Sequence, residues 1–140
     1  MDYMYEHRVA YYETDKMGVT HHSNYIRMME EARTGWMKAV GWSYKKCEEL
    51  GMVSPVVSVR CEYKKTTTYD DLVQIHVRLL EYTGVRLRVG YTMFRDGELV
   101  CTGETEHCFL DSRGMPVRLK RMYPEYDALL RKTQEEDGEN

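Results

Sequence analysis

Nowhere in this chain does an apolar run approach the roughly 18 residues that a bilayer-crossing helix needs, and the mean hydropathy is -0.64. A membrane-spanning protein is therefore not expected. A dominant charge is missing too: charged residues make up 31% of the chain, yet the net charge is only -3 and no basic block stands out. That argues against a surface that tracks nucleic-acid phosphates. Cys47, Cys61, Cys101 and Cys108 form no C-x-x-C pair and follow no secretory leader, so they are expected to be reduced thiols in a cytoplasmic protein. The histidines lack zinc-site spacing, because His21 and His22 are adjacent rather than four apart on a helix. Neither a metal nor a cofactor is expected. No G-x-S-x-G elbow is present, so a serine nucleophile of that kind is excluded.

What remains is enough for one core but not two, since the chain has 140 residues. No internal repeat or interdomain linker interrupts it. Residues 1–133 are expected to form one α+β domain, with 134–140 as an acidic, disordered tail.

Residues 4–12 alternate, placing Tyr5, His7, Val9 and Tyr11 on one side, which predicts a half-buried strand. An aperiodic stretch over 13–22 follows, containing Asp15, Gly18 and two histidines. Ser23 and Asn24 can each accept a bond from a helix's free first-turn N–H groups, so a helix is expected over about 24–40. Its stripe is Tyr25, Met29, Ala32, Trp36 and Val40. Gly35 within that helix implies close packing, because Gly there costs about 1 kcal/mol relative to Ala. Residues 42–50 predict a short second helix. After Pro55 the period becomes two, and four strands in meander are expected, with Asp96-Gly97 as a type I′ hairpin turn between the last pair. Pro124 suits the first position of a closing helix to about Lys132. The whole predicts a five-stranded antiparallel sheet curled around a long helix.

The informative stretch is R-V-A-Y-Y-E-T-D-K-M-G-V-T-H-H-S-N-Y, residues 8–25. Asp15 lies between a strand and a helix N-terminus, which brings a carboxylate near unpaired backbone N–H groups. Acyl-bond hydrolysis needs a group that activates or replaces water, worth roughly 10² to 10⁴ in rate, and donors for the developing oxyanion, worth roughly 10² to 10³ each. Asp15 and the first-turn amides can supply both. A thioester suits such a site because a thiolate leaves readily without a full catalytic triad. The plainer reading is that Asp15 only caps a turn, or bonds Thr20 or the backbone. His22 is then a structural donor, and Glu13 a solvated neighbour. Tyr3, Tyr5, Tyr11 and Tyr12 can line a pocket or simply fill the core.

D-x-x-G-V-x-H-x-S-N-Y followed by M-E-E-A-R-T-G-W-M-K-A-V-G resembles the signature of the 4-hydroxybenzoyl-CoA thioesterase family. The resemblance implies a hotdog fold, acyl-CoA thioester hydrolysis without a cofactor, and a homo-oligomer, with a dimer as its minimal unit and a tetramer beyond it, whose sites lie between subunits. It implies Asp15 as the catalytic carboxylate, nucleophile or general base, and the His22 backbone amide as the group that polarises the carbonyl. Tyr11, Gly18, Val19 and Asn24 become substrate-binding positions, Asn24 also serving helix capping and packing. Exposed basic groups hold the nucleotide end of CoA in the family, and the candidates here are Arg86, Arg88, Arg118 and Lys120. Two other readings keep the same fold: a non-catalytic acyl-CoA-binding module, and a hydratase or dehydratase acting on 3-hydroxyacyl thioesters.

Overall fold

A computed structural model describes residues 1–138 of the chain. Strand β1 (Tyr3–Arg8) leads through a 3₁₀ turn (Tyr11–Glu13) to helix α1 (Ser23–Val40) and a short helix α2 (Tyr44–Glu49). Four strands follow, β2 (Val56–Tyr63), β3 (Leu72–Tyr82), β4 (Arg86–Arg95) and β5 (Glu98–Cys108), and then helices α3 (Leu119–Met122) and α4 (Pro124–Gly138). All the pairings are antiparallel, in the order β1-β3-β4-β5-β2.

That order corrects the expected four-strand meander: β3, β4 and β5 are consecutive neighbours, but β2 pairs with β5 and forms the far edge. The link over 64–71 turns at Asp70 (φ 71°), where Asp71 N–H donates to Thr68 O (3.1 Å), but it crosses the end of the sheet, so β3 runs antiparallel to β2 without pairing with it. Backbone bonds hold it there, from Lys64 N–H to Val100 O (2.8 Å), from Thr20 N–H to Thr67 O (2.8 Å) and from Asp70 N–H to Val9 O (2.9 Å). The β4–β5 turn is as expected, with positive φ at both Asp96 (50°) and Gly97 (79°).

The sheet's inner face is Val73, Ile75, Val77 and Leu79 of β3 and Leu87, Val89, Tyr91 and Met93 of β4, all buried. The α1 stripe of Tyr25, Met28, Met29, Ala32 and Trp36 lies against it, equally buried. Each such large side chain contributes about 1.5–3 kcal/mol relative to exposure. Gly35 faces β1: a Cβ there would stand 2.0 Å from the Tyr3 hydroxyl, so the close approach is to a tyrosine tip rather than to strand backbone.

Helix α4 closes the other end of the core. Its Tyr126 ring stacks on Trp42 at 4.9 Å, and the buried Asp127 accepts from the Tyr82 hydroxyl (2.6 Å) and Arg131 Nε (3.0 Å). Burial alone would raise the Asp127 carboxyl, but these two hydrogen bonds and the Arg131 charge outweigh it and hold it below its ordinary range. A carboxyl depressed in the folded state adds stability above its unfolded pKa, and that contribution is lost as pH falls through the folded value. Asp127→Asn is expected to cost about 1–3 kcal/mol near neutrality and to flatten the acid limb of a stability-versus-pH series measured by urea unfolding.

The expected disordered tail is also corrected as far as Gly138, where helix α4 ends; residues 139 and 140 lie outside the described residues. Beyond the start of β1, the β3 edge has no strand partner among the described residues, and α4 side chains take its N–H groups: Leu79 donates to Asp137 Oδ2 (2.8 Å) and Tyr82 to Gln134 Oε1 (2.6 Å). Acidic composition suggested solvation, but buried edge amides need acceptors. Deleting residues 134–140 is expected to lower stability by about 1–3 kcal/mol for each amide left unpaired, read as a lower thermal midpoint.

Candidate active site

The loop between β1 and α1 folds back on itself. Thr14 bridges Thr20, Asp15 N–H donates to Val19 O (2.9 Å), and Gly18 N–H donates to Asp15 O (3.0 Å) with Gly18 at φ +80°. Asp15 thus opens a tight turn and Gly18 closes it. Asp15 is half-buried, and its Oδ1 accepts the Met17 N–H (2.8 Å). This is the turn-capping role open to an Asp before Gly, yet it uses one oxygen only: Oδ2 has no donor among the described residues.

The same fold-back sets the start of α1. His21 N–H donates to Glu13 O (2.8 Å), Asn24 N–H to His21 O (2.9 Å), Tyr25 N–H to His22 O (3.3 Å) and Ser23 N–H to His21 Nδ1 (3.2 Å). The expected set of unpaired amides therefore narrows to one at this point, since His22 N–H has no acceptor among the described residues. Its carbonyl accepts from the Tyr63 hydroxyl of β2 (3.1 Å), while its ring is exposed and stacks on His21 at 4.2 Å.

Helix capping by Ser23 or Asn24 is not what the structure shows. The buried Asn24 turns its Nδ2 onto Glu13 O (2.9 Å), and Ser23 Oγ meets His21 Nδ1 (2.8 Å). Glu13 is buried rather than solvated, accepting the Ala10 N–H (2.7 Å) and facing His7 Nε2 (2.8 Å). The other His7 nitrogen faces Glu31 Oε2 (3.0 Å), which also accepts from the Tyr5 hydroxyl (3.0 Å). Glu13 therefore anchors the loop that carries Asp15. The one sequence signal for this was its place three residues after Ala10, at capping-box spacing.

On its other flank α1 reaches β4 and β5. Arg33 donates to the Tyr91 hydroxyl (3.2 Å), which lies 2.8 Å from Thr105 Oγ1, itself 2.8 Å from His107 Nε2. Burial, with the Arg33 charge behind it, pushes His107 down to about 4. The imidazole is neutral near pH 7, and its tautomer sets which way the Tyr91, Thr105 and His107 protons point along this chain. None of these four was singled out from the sequence, because each alone reads as an ordinary helix or strand residue.

The remaining predicted positions separate. Tyr11 is 77% exposed beside Tyr69, Gly18 is exposed, and Val19 is half-buried in the Asp15 turn. Arg86 and Arg88 lie on the outer face of β4, where Arg88 pairs with Glu104 (3.4 Å). Arg118 and Lys120 flank Leu119, whose N–H is tied to Gly84 O (3.1 Å). That is the end of the sheet opposite Asp15, and the ten residues of β4 span roughly 30 Å. One protomer does not bring the basic group to the carboxylate. A hollow of about 910 Å³ opens on the outer face beside Arg78, Leu80, Gly90 and Phe94, and its lining includes none of the predicted residues.

The family model described as "Thioesterase-like superfamily" matches residues 9–130. A Staphylococcus aureus structure described as a DHNA-CoA thioesterase is 34% identical, covers 99% of this chain and 94% of its own, and superposes with a TM-score of 0.95. The Bacillus subtilis protein named "Putative acyl-CoA thioesterase YneP" is 32% identical over 91% of this chain and 94% of that protein. The 1,4-dihydroxy-2-naphthoyl-CoA hydrolase of Synechococcus elongatus is 23% identical over 80% of this chain and 84% of its own.

Proposed function

The chain belongs to the thioesterase-like superfamily and is a hotdog-fold thioester hydrolase, and from that premise we propose that it hydrolyses a small or medium acyl-CoA to free acid and CoA. Within the superfamily we place it with the 4-hydroxybenzoyl-CoA thioesterases, on the motif that runs from Asp15 to Tyr25. The observation that carries the mechanism is the pairing of Thr14 with Thr20, which holds a carboxylate with one open oxygen at the root of a helix whose His22 amide is unpaired. The thioester oxygen takes the His22 N–H. Its carbonyl carbon faces Asp15 Oδ2, which either attacks it directly or removes a proton from attacking water. The thiolate of CoA leaves and takes up a proton; on the first route water then hydrolyses the acyl–Asp15 anhydride, and on the second the attacking water has already become part of the acid.

The reading includes a second protomer. β2 is a free edge on which Val56, Val57, Val59 and Tyr63 are 41–47% exposed, a surface that a monomer would leave open to pairing. Antiparallel pairing of two β2 strands about a two-fold axis lays one protomer's Val56 end beside its partner's Tyr63 end. The basic end then approaches the Asp15 end across the interface, which is how Arg86, Arg88, Arg118 and Lys120 reach the nucleotide. Among the described residues no helix is long and apolar enough to cross a membrane, and we place the reaction in the cytoplasm.

A thiol-release assay tests the activity. Its panel runs over aliphatic chain lengths and hydroxyaryl thioesters, with 1,4-dihydroxy-2-naphthoyl-CoA included because two relatives carry that activity or its abbreviation in their names. Release of thiol from at least one member is expected. Binding without release would instead mark an acyl-CoA-binding module, and an enoyl product a dehydratase. His22→Ala is expected to keep turnover well above the roughly 10² loss that removal of an oxyanion donor produces, because the donor is main chain.

A further inference from the structure

Two chain segments meet at the proposed site, and one side chain ties them together. The Asp15 turn belongs to the loop that Glu13 anchors, whereas the unpaired amide belongs to His22 at the start of α1. Between them stands the main-chain oxygen of Glu13, which accepts twice: from His21 N–H (2.8 Å) and from Asn24 Nδ2 (2.9 Å). Glu13 and Asn24 are both buried, so water does not compete for these bonds.

The peptide that joins His21 to His22 is planar, so its N–H points away from its carbonyl. That carbonyl accepts from Asn24 N–H (2.9 Å). The plane is therefore held at its own oxygen and flanked by two bonds to Glu13 O, and it cannot rotate without stretching one of them. The His22 N–H keeps a single direction as a result. Two of the three bonds are main chain and survive substitution of a side chain. The Asn24 Nδ2 bond alone depends on residue type, and because Glu13 stands two residues ahead of Asp15, it also fixes how far the helix start lies from the carboxylate.

Resting on the hydrolase mechanism above, we propose that Asn24 is a positioning residue: its side chain holds the His22 amide in register with Asp15 and sets turnover through that amide. The fold does not need this bond. Without Asn24 Nδ2, Glu13 O keeps the His21 N–H, so no buried acceptor is left empty. The first turn of α1 also keeps its own bonds, from Ser23 N–H to His21 Nδ1 and from Asn24 N–H to His21 O. What is lost is alignment, and a misplacement of about 1 Å costs on the order of 10²-fold in rate. The nucleotide end of CoA, which supplies binding common to ground and transition states, is untouched.

The experiment compares the wild-type protein with Asn24→Ala and with Asn24→Ser, whose hydroxyl is one bond shorter than the amide, on an acyl-CoA that the thiol-release panel accepts. Both variants are expected to fold, as judged by circular dichroism, and to lose about 10- to 10²-fold in kcat while KM stays near that of wild type. The second readout is the ¹³C signal of S-acetonyl-CoA labelled at its ketone carbon, a probe that carries a carbonyl but no thioester to cleave. Hydrogen bonding at the ketone oxygen moves this signal downfield. The shift is expected on binding to the wild-type protein, and most of it should be lost in both variants although the probe still binds. Wild-type kcat in the folded variants, an undiminished shift, or a loss confined to KM would each overturn the proposal. So would failure of both variants to fold, since the bond would then serve the fold and not the site. No shift even in the active wild-type protein would instead sink the mechanism on which the proposal rests, because His22 would not be the donor.

Discussion

Asp15→Asn is expected to lower kcat by about 10²–10⁴-fold on every accepted acyl-CoA, the range that a positioned acid–base group supplies, while the protein stays folded. The substitution is nearly isosteric and removes only the charge. An amide oxygen at Oδ1 can still accept the Met17 N–H, so the turn that closes at Gly18 keeps its bond. Asp15 is half-buried and has no partner on Oδ2 among the described residues, so stability should change by no more than about 0.5 kcal/mol. The measurement is steady-state thiol release alongside urea unfolding of the same preparation. Wild-type turnover in the variant would remove Asp15 from the chemistry, leaving it the turn-capping role alone.

Val57→Lys combined with Val59→Lys is expected to give a folded monomer with little turnover. Both side chains are over 40% exposed on the free β2 edge, so lysines there cost a single protomer little, but two copies paired edge to edge would bring like charges together. Sedimentation should show the mass fall to that of one chain while circular dichroism keeps its shape. Turnover should fall with it, because in a lone protomer the basic residues near Gly84 sit at the far end of the sheet from Asp15. A stable oligomer in the double variant would place the interface elsewhere, and a fully active monomer would show that the site needs no partner.

Much of this fold was legible because local chemistry and final structure agree. The α1 stripe, the Asp96-Gly97 turn and the inner-facing residues of β3 and β4 follow from periodicity and from φ preference, which need no knowledge of distant neighbours. The pairing of β2 with β5 was not legible, since an alternating strand carries its faces in its sequence but not its partner. Gly35 signalled a close approach without revealing that Tyr3 makes it. From sequence Glu13 and Asp137 look solvated, because their partners, His7 and the Leu79 amide, belong to elements that only folding brings near. At the candidate site, the motif points to Asp15 and His22, while the count of unpaired amides, one rather than several, depends on where Glu13 and His21 end up.

A crystal structure of the protein with a non-hydrolysable acyl-CoA thioester analogue is the most direct test of the site. The carbonyl oxygen should lie about 3 Å from the His22 amide nitrogen, with an Asp15 carboxylate oxygen about 3–3.5 Å from the carbonyl carbon and the nucleotide against the partner protomer. An analogue seated instead in the outer-face hollow beside Gly90 and Phe94, with Asp15 untouched, would contradict it.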